Sequence, residues 1–130
     1  MNLEKGLFYS FSEKVNNSML ASNAVPGTPE VFSTPALLCL IEKTAYLALQ
    51  EFYDEGETSV GVSVELTHTS PTPLNMQVRC EVQVIEVNGK IVTFAVEAFD
   101  EKGFICKCKH TRAIVVKEKI LYKAKKKIEQ

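Results

Sequence analysis

The segment 34–53 constrains the fold most, because its sequence predicts a helix that is apolar on nearly every side. Thr34-Pro35 is a helix-start signal, with a hydroxyl side chain at the N-cap and proline at the first helical position. The helix is predicted to continue to about Tyr53 and to end near Gly56. A helix that is apolar all round is a buried helix, so other elements of the chain must enclose it.

The remaining segments supply the strands that such a helix needs. Period-two alternation and turn residues predict strands over residues 7–15, 60–68, 76–87, 91–99 and 104–116. The last strands are joined by short turns, and Asn88-Gly89 is the strongest hairpin signal among them. Strands joined by hairpins are antiparallel. The pattern therefore predicts an α+β fold, with a five-stranded antiparallel sheet wrapped around one long central helix.

Length and charge restrict the class of function. The 130 residues fit a single domain, residues 1–130, in which 117–130 form a lysine-rich tail. The formal net charge of −1 does not favour nucleic acid as a partner. No apolar run approaches the ~18 residues that a membrane span needs, and no secretory pattern is recognised, so a cytoplasmic protein without membrane contact is expected. The tail is expected to be solvated and frayed, or alternatively to contact the phosphates of a coenzyme.

The four cysteines do not predict a metal site. Cys106, Cys108 and His110 alternate along one predicted strand and share a face. Three such residues spread over about 13 Å, which is too far for one zinc ion to collect. We expect these cysteines, with Cys39 and Cys80, to be core residues in a reducing compartment.

One carboxylate, Glu42, interrupts the apolar helix in its middle. A carboxylate in a buried helix is costly unless it is paired, protonated or functional. Glu42 therefore either takes part in chemistry, or emerges at a subunit interface, or pairs with a strand residue such as Arg112. Its neighbour Lys43 points about 100° away and is not an automatic partner. Arg112 in turn either balances Glu42 or binds a phosphate or carboxylate of a ligand.

Two further side chains stand at the ends of predicted elements. His68 shares a strand face with Val60, Val62, Val64 and Leu66 and should point toward the helix, either as a core histidine or as a functional group. Thr34 needs no role beyond the helix cap, yet a helix N-terminus offers N–H groups that suit an oxyanion.

Thr34 and Glu42 lie about 12 Å apart along an ideal helix. They converge on one substrate only if the preceding loop folds back, or if they meet different parts of that substrate. The sequence leaves both arrangements open.

Several segments together resemble the fluoroacetyl-CoA thioesterase family. They are Glu30-Val31-Phe32-Ser33-Thr34, the helix carrying Glu42, Gly61 through His68-Thr69, and His110-Thr111-Arg112-Ala113-Ile114-Val115. The resemblance spans residues 8–116. It implies a hot-dog fold and a homodimer with active sites near the subunit interface. It also implies hydrolysis of an acyl-CoA to free acid and CoA without metal or cofactor, coenzyme A entering as part of the substrate.

The resemblance implies a role at five positions. Thr34, Glu42 and His68 match the catalytic residues of the family, and Gly61 and Arg112 match its supporting, substrate-binding positions. Glu42 would attack the thioester carbonyl or activate a water, with His68 as its hydrogen-bonding or proton-transfer partner. Thr34 and nearby N–H groups would hold the developing oxyanion. Gly61 would let a ligand approach the backbone closely, since it has no Cβ.

The resemblance is weaker in the loop before Thr34. The fluoroacetyl enzyme is aromatic-rich there, whereas this chain has Val25-Pro26-Gly27-Thr28. A short-chain acyl-CoA in general is therefore the expected substrate, rather than fluoroacetyl-CoA. The alternatives are a hot-dog protein that binds an acyl-CoA without turning it over, and a dehydratase or hydratase. The helix motif of the latter, with aspartate and histidine close together, does not occur here.

Overall fold

Five antiparallel strands form one sheet in the computed structural model, which describes residues 2–129. The strands are β1 (Phe8–Lys14), β2 (Glu57–His68), β3 (Gln77–Asn88), β4 (Ile91–Asp100) and β5 (Gly103–Val116). They lie side by side in the order β1-β3-β4-β5-β2, so β1 and β2 are the two edges. This confirms the predicted five-stranded antiparallel sheet, with strand ends within a few residues of those expected.

The long helix lies against this sheet and supplies one side of the core. A short helix, α1 (Ala21–Ala24), precedes it, and the long helix itself is α2 (Thr34–Ala48). One side of α2 is buried with the sheet, through Leu37, Leu40, Ile41, Thr44, Ala45 and Ala48. A sheet folded around one long helix is the α+β architecture that the sequence pattern predicts and the hot-dog fold that the resemblance implies.

Both ends of α2 differ from the prediction by a small amount. Ser33 is the N-cap, since its Oγ accepts a hydrogen bond from the Ala36 N–H at 3.1 Å. The predicted cap at Thr34 is therefore wrong by one position, because two adjacent hydroxyl residues precede the proline and either one fits a cap. At the other end, α2 stops at Ala48 and a 3₁₀ turn (Gln50–Phe52) takes up the rest of the predicted helix.

The prediction that α2 is buried on all sides is wrong for the single chain. Cys39 and Lys43 are exposed, and the Glu42 side chain is 43% exposed. The reason is geometric, because one sheet covers a helix from one side only. Leu38 and Leu47, also outside the buried stripe, are only partly covered.

Strand β2 contains a bulge that the sequence did not predict. Gly61 pairs with Arg112 and Ser63 pairs with Thr111 on β5, so Val62 is an extra residue without a partner. Such an insertion interrupts the period-two alternation of a strand and sends the residues on its two sides to different faces.

The bulge corrects the predicted faces of β2. Before it, Ser59 is buried and Gly61 lies against α2, whereas Val60 is turned toward the surface. After it, His68 faces inward, as predicted. The expectation that Val60 and Val62 share the helix-facing side with His68 is therefore wrong, because the extra residue reverses the alternation between them.

The remaining sequence predictions have mixed outcomes. The β3–β4 hairpin is confirmed, with Gly89 at φ 62° in its two-residue turn. Cys80, Cys106 and Cys108 are buried as expected, whereas Cys39 is exposed. Among residues 2–129, no group of three histidine, cysteine or acidic side chains is placed to hold a metal ion.

The lysine-rich tail is solvated, as expected, and is helical. It forms a helix, α3 (Lys117–Lys126), followed by a 3₁₀ turn (Lys127–Glu129). All of these residues are exposed. None of the helices between residues 2 and 129 is long and apolar enough to cross a membrane.

Candidate active site

Thr34 and His68 meet at the N-terminal end of α2. Thr34 is the first residue of that helix and His68 is the last residue of β2, and Thr34 Oγ1 lies 2.9 Å from His68 Nδ1. Because Ser33 caps the helix, the Thr34 hydroxyl is available for this contact. The Phe32 ring packs edge-on against the imidazole, with the ring centroids 6.4 Å apart. The predicted helix-facing orientation of His68 is therefore confirmed.

The imidazole of His68 has one nitrogen that makes no hydrogen bond of normal geometry among the described residues. Burial lowers the pKa of His68, so the ring is neutral near pH 7. A hydrogen bond with the backbone of Ser70 raises the pKa and offsets part of this lowering. Nε2 has no hydrogen-bond partner of normal geometry among the described residues. A neutral imidazole has one donor and one acceptor nitrogen. With Nδ1 bonded to Thr34, Nε2 is a buried nitrogen whose hydrogen-bonding capacity is unused among the described residues.

An open cavity of about 300 Å³ adjoins this pair of residues. Its walls come from the loop before α2 and from the end of β2, and they are Ala21, Val31, Phe32, Ser33, Thr34, His68, Thr69, Ser70 and Pro71. Apart from the two site residues, most of these side chains are small or aliphatic. The cavity has room for a small group beside the Thr34 hydroxyl.

Replacing Thr34 by valine is expected to lower kcat/KM for the thioester hydrolysis that the resemblance implies by about 100-fold, because the hydroxyl that would assist an oxyanion is lost. The helix should remain, since Ser33 and not Thr34 provides its cap. Steady-state kinetics and a thermal unfolding curve would measure the two effects. Thr34→Ser, which keeps a hydroxyl, serves as the matched variant and should lose much less. Equal activity in Thr34→Val and wild type would contradict a role for the hydroxyl.

Glu42 forms a second cluster farther along α2. Its Oε2 lies 3.3 Å from Nη1 of Arg112 on β5. The Arg112 side chain is 6% exposed and that of Glu42 is 43% exposed, so the guanidinium lies beneath a carboxylate that is open to solvent. Lys43 instead pairs with Glu13 at 3.2 Å. Of the alternatives left open for Glu42, the pairing with Arg112 is the one observed within the chain.

All three nitrogens of the Arg112 guanidinium make hydrogen bonds within the protein. Its Nε donates to Ser59 Oγ at 2.8 Å and its Nη2 donates to the Ser59 carbonyl oxygen at 2.9 Å. Nη1, besides its contact with Glu42, lies 3.1 Å from His110 Nε2. Tyr53 in turn contacts Ser59, with 2.6 Å between the two hydroxyl oxygens. With its donors used in this way, Arg112 is suited to orienting Glu42.

Gly61 leaves the space that the Glu42 carboxylate occupies. A Cβ at position 61 would lie 2.6 Å from Glu42 Oε2 and 3.4 Å from His110 Cε1. The first distance is too short for any side chain, so the carboxylate takes this position only because residue 61 is glycine. The close approach predicted for Gly61 is thus made in this chain by Glu42, and its contact with a ligand stays a prediction.

The five predicted site residues fall into two groups in the single chain. Thr34 and His68 form one, and Glu42, Gly61 and Arg112 form the other. No hydrogen bond within the described residues joins Glu42 to Thr34 or His68. The predicted partnership of His68 with Glu42 is therefore not made within one chain.

Two further residues of the second group, Ser59 and His110, were not predicted as site residues. His110 is two positions from Arg112 on β5, so its place on the same strand face was a usable signal. Ser59 gave no such signal, because the bulge reverses the face that regular alternation assigns to it.

The two histidines of the chain are expected to make the folded protein less stable in mild acid. Burial lowers the pKa of His68, and burial together with the charge of Arg112 lowers that of His110, from an ordinary value of 6.5. Below that pH the unfolded chain takes up protons that the folded chain does not, so the free energy of unfolding falls as pH falls. Urea unfolding at pH 7 and about pH 5.5 should show this decrease.

The contribution of the Glu57 carboxylate to stability is lost at a lower pH than that of the histidines, so the two effects can be separated. The pKa of Glu57 is lowered from 4.5 by hydrogen bonds from the Asp54 backbone and from Lys90, so its contribution is lost only in stronger acid. A urea midpoint that stays constant from pH 7 to about pH 5.5 would contradict neutral, buried histidines.

A sheet folded on one helix, with hydroxyl, imidazole and carboxylate side chains along their contact, is the arrangement that the resemblance to hot-dog thioesterases implies. Residues 15–118 match the model of the family described as fluoroacetyl-CoA-specific thioesterase. The chain belongs to this family.

Individual relatives agree with that assignment. The fluoroacetyl-CoA thioesterase of Streptantibioticus cattleyicolor is 31% identical over 99 residues, which cover 76% of this chain and 71% of that protein. A solved structure of the fluoroacetyl-CoA thioesterase FlK superposes with a TM-score of 0.94 at 26% identity and covers 98% of both chains. Another, of its F36A mutant in complex with fluoroacetate and CoA, superposes with a TM-score of 0.86 at 26% identity, covering 91% of this chain and 99% of that one.

Proposed function

We propose that this protein hydrolyses a short-chain acyl-CoA to the free acid and CoA, using no cofactor other than the CoA of the substrate. The observation that carries the proposal is the Glu42 carboxylate, which is open to solvent and oriented by the buried Arg112. A buried cation beneath an accessible carboxylate is costly to build for packing alone, and it suits a nucleophile or a general base. The complex of a related thioesterase with fluoroacetate and CoA supports the substrate class.

In the proposed reaction, Glu42 supplies the electron pair. It either attacks the thioester carbonyl carbon, giving an anhydride that water cleaves, or takes a proton from a water that attacks the same carbon. Both routes break the carbon–sulfur bond and release a carboxylic acid and the CoA thiol. The Thr34 hydroxyl and the N–H groups at the start of α2 would stabilise the oxyanion, and the neutral His68 would pass a proton through Nε2.

The small number of bulky aromatic side chains around the cavity beside Thr34 supports a general short-chain substrate. Val31 and Ala21 line the cavity beside Thr34, and Phe32 is the only aromatic residue among its lining residues. The loop residue Val25 is exposed. A cavity of this kind would accept small acyl groups without selecting fluorine in particular.

We also propose that the protein is a homodimer, located in the cytoplasm, in which a second copy covers strand β2. This edge strand carries three exposed valines, Val60 at 36%, Val62 at 58% and Val64 at 37%. An apolar edge strand is prone to pair with another chain, and an antiparallel edge can pair with its own copy about a two-fold axis. Such a dimer would bring the second copy beside the half-exposed Glu42.

Val62→Lys is expected to convert the protein to a monomer, because lysine on an edge strand opposes strand pairing. Light scattering after size-exclusion chromatography would measure the mass. Ile91→Lys, a substitution at another exposed apolar residue that lies on the internal strand β4, is the matched control and should leave the mass unchanged. A monomeric wild-type protein would contradict the proposed dimer.

The function is tested by following thiol release from a panel of acyl-CoAs, from acetyl-CoA to medium chains and including fluoroacetyl-CoA. The expected result is hydrolysis that is fastest with short chains and shows no marked preference for the fluorinated substrate. Release confined to fluoroacetyl-CoA would overturn the general specificity. Binding of acyl-CoA without any thiol release would favour the alternative, a hot-dog protein that binds the ligand without turning it over.

A further inference from the structure

We propose that His110 is a positioning residue, which holds the Arg112 guanidinium toward Glu42 by acting as a neutral imidazole with its proton on Nδ1. The inference deepens the proposed function and rests on the role of Glu42 in it. His110 does not contact the carboxylate through a hydrogen bond of its own. It acts through Arg112, which touches both residues.

The two hydrogen bonds of His110 fix its protonation state. Nδ1 lies 3.0 Å from the carbonyl oxygen of Ser63, and a carbonyl oxygen only accepts, so Nδ1 must carry a proton. Nε2 lies 3.1 Å from Nη1 of Arg112, and a guanidinium only donates, so Nε2 must carry a lone pair. Of the two neutral tautomers and the cation, only the neutral form protonated at Nδ1 satisfies both contacts.

This arrangement determines the orientation of Arg112. The Nη1 nitrogen has two protons, and the structure directs them to His110 Nε2 and to Glu42 Oε2 at 3.1 Å and 3.3 Å. Ser59 accepts from Nε and Nη2 on the opposite side. Without an acceptor at position 110, Nη1 would be held only by a carboxylate that is itself half exposed.

The surroundings of the ring favour this neutral state. His110 is fully buried and stacks against Phe94, with the ring centroids 6.4 Å apart and the planes 24° from parallel. The charged groups facing it are Arg112, on its own strand, and Glu42, from α2. A proton on Nε2 would place a second donor against the Arg112 guanidinium and break their contact. The Ser63 carbonyl that holds Nδ1 belongs to the bulged part of β2.

The tautomer is measured directly by long-range ¹H–¹⁵N correlation NMR on the full-length protein. The chain has two histidines, so loss of one set of signals in the His110→Gln variant assigns the ring. We expect the Nε2 shift of an unprotonated nitrogen and the Nδ1 shift of a protonated one at neutral pH. A protonated Nε2, in either the other tautomer or the cation, would overturn the proposal.

Two amide variants separate positioning of Arg112 from a structural role. The amide of His110→Gln reaches the place of Nε2 and can accept from Arg112, whereas that of His110→Asn reaches only the place of Nδ1 and the Ser63 carbonyl. We expect His110→Asn to lower kcat about tenfold with little change in KM, and His110→Gln to lower it much less. Equal kcat values in the two variants, or a better His110→Asn, would overturn the proposal.

The outcomes distinguish this inference from the proposed function. If the wild-type protein releases no thiol from any acyl-CoA, the proposed function fails, and the NMR experiment still decides the tautomer. If the wild-type protein is active and Glu42→Gln is not, the function stands and the comparison of His110→Gln with His110→Asn decides the role of His110. Urea unfolding of both variants shows whether either difference is one of stability.

Discussion

Glu42→Gln is expected to lower kcat for thiol release by about 100- to 10,000-fold while the folded protein persists. An amide neither attacks a thioester carbonyl nor accepts a proton from water, so both chemical roles of the carboxylate are lost. The amide oxygen can still accept a hydrogen bond from Arg112, which keeps the buried guanidinium paired. Because the side chain is half exposed, the substitution should cost little stability.

Steady-state thiol release with the preferred acyl-CoA measures this effect. Glu13→Gln is the matched control, since Glu13 also pairs with a cation, Lys43, but on the other side of α2 and away from the cavity. It should retain wild-type kcat. A Glu42→Gln protein with undiminished activity would place the reacting group elsewhere in the molecule.

Arg112→Met is expected to destabilise the protein by about 3 kcal/mol and to reduce its activity. Methionine is also long and unbranched but makes none of the four contacts of the guanidinium. The Ser59 carbonyl oxygen and His110 Nε2 would then be buried without a donor, and each such group is costly. Glu42 would lose the group that orients it.

The free energy of unfolding, from urea titration, measures the loss. Arg79→Met provides the comparison, because Arg79 pairs with Glu81 at 2.9 Å on the surface and its side chain is 50% exposed. A surface pair of this kind contributes about 1 kcal/mol or less. Similar losses in the two variants would contradict a structural anchor at position 112, and full activity in Arg112→Met would contradict its role in orienting Glu42.

The fold was predictable from the sequence because the sequence contains two clear patterns, one of a helix and one of strands. An apolar segment after Ser33-Thr34-Pro35 and the alternating strands after Gly56 leave few arrangements other than a sheet around a helix. The cap position was not predictable, since Ser33 and Thr34 both carry the required hydroxyl. The incomplete burial of α2 also could not be read from its composition, because apolar residues on the uncovered side of a helix look the same in a sequence as core residues.

The candidate site residues could be singled out in the sequence one by one, but their grouping could not be predicted. Glu42 and Arg112 stand out because charges are expensive on apolar faces, and His68 stands out for a similar reason. Which of them meet depends on the strand register, and the register depends on the bulge after Gly61. A glycine inside a strand pattern is a recognised sign of a bulge, and it was the one local signal available.

The bulge places Gly61 and His68 on the same face of β2, which a regular strand would not do. Gly61 and His68 are seven positions apart, an odd interval that puts two residues of a regular strand on opposite faces. The unpaired Val62 makes both face α2, one against Glu42 and the other against Thr34. Deleting Val62 would therefore do more than shorten an edge strand. It would move every side chain on one side of the deletion to the opposite face of the strand. The carboxylate cluster and the hydroxyl–imidazole pair could then no longer form on the same face.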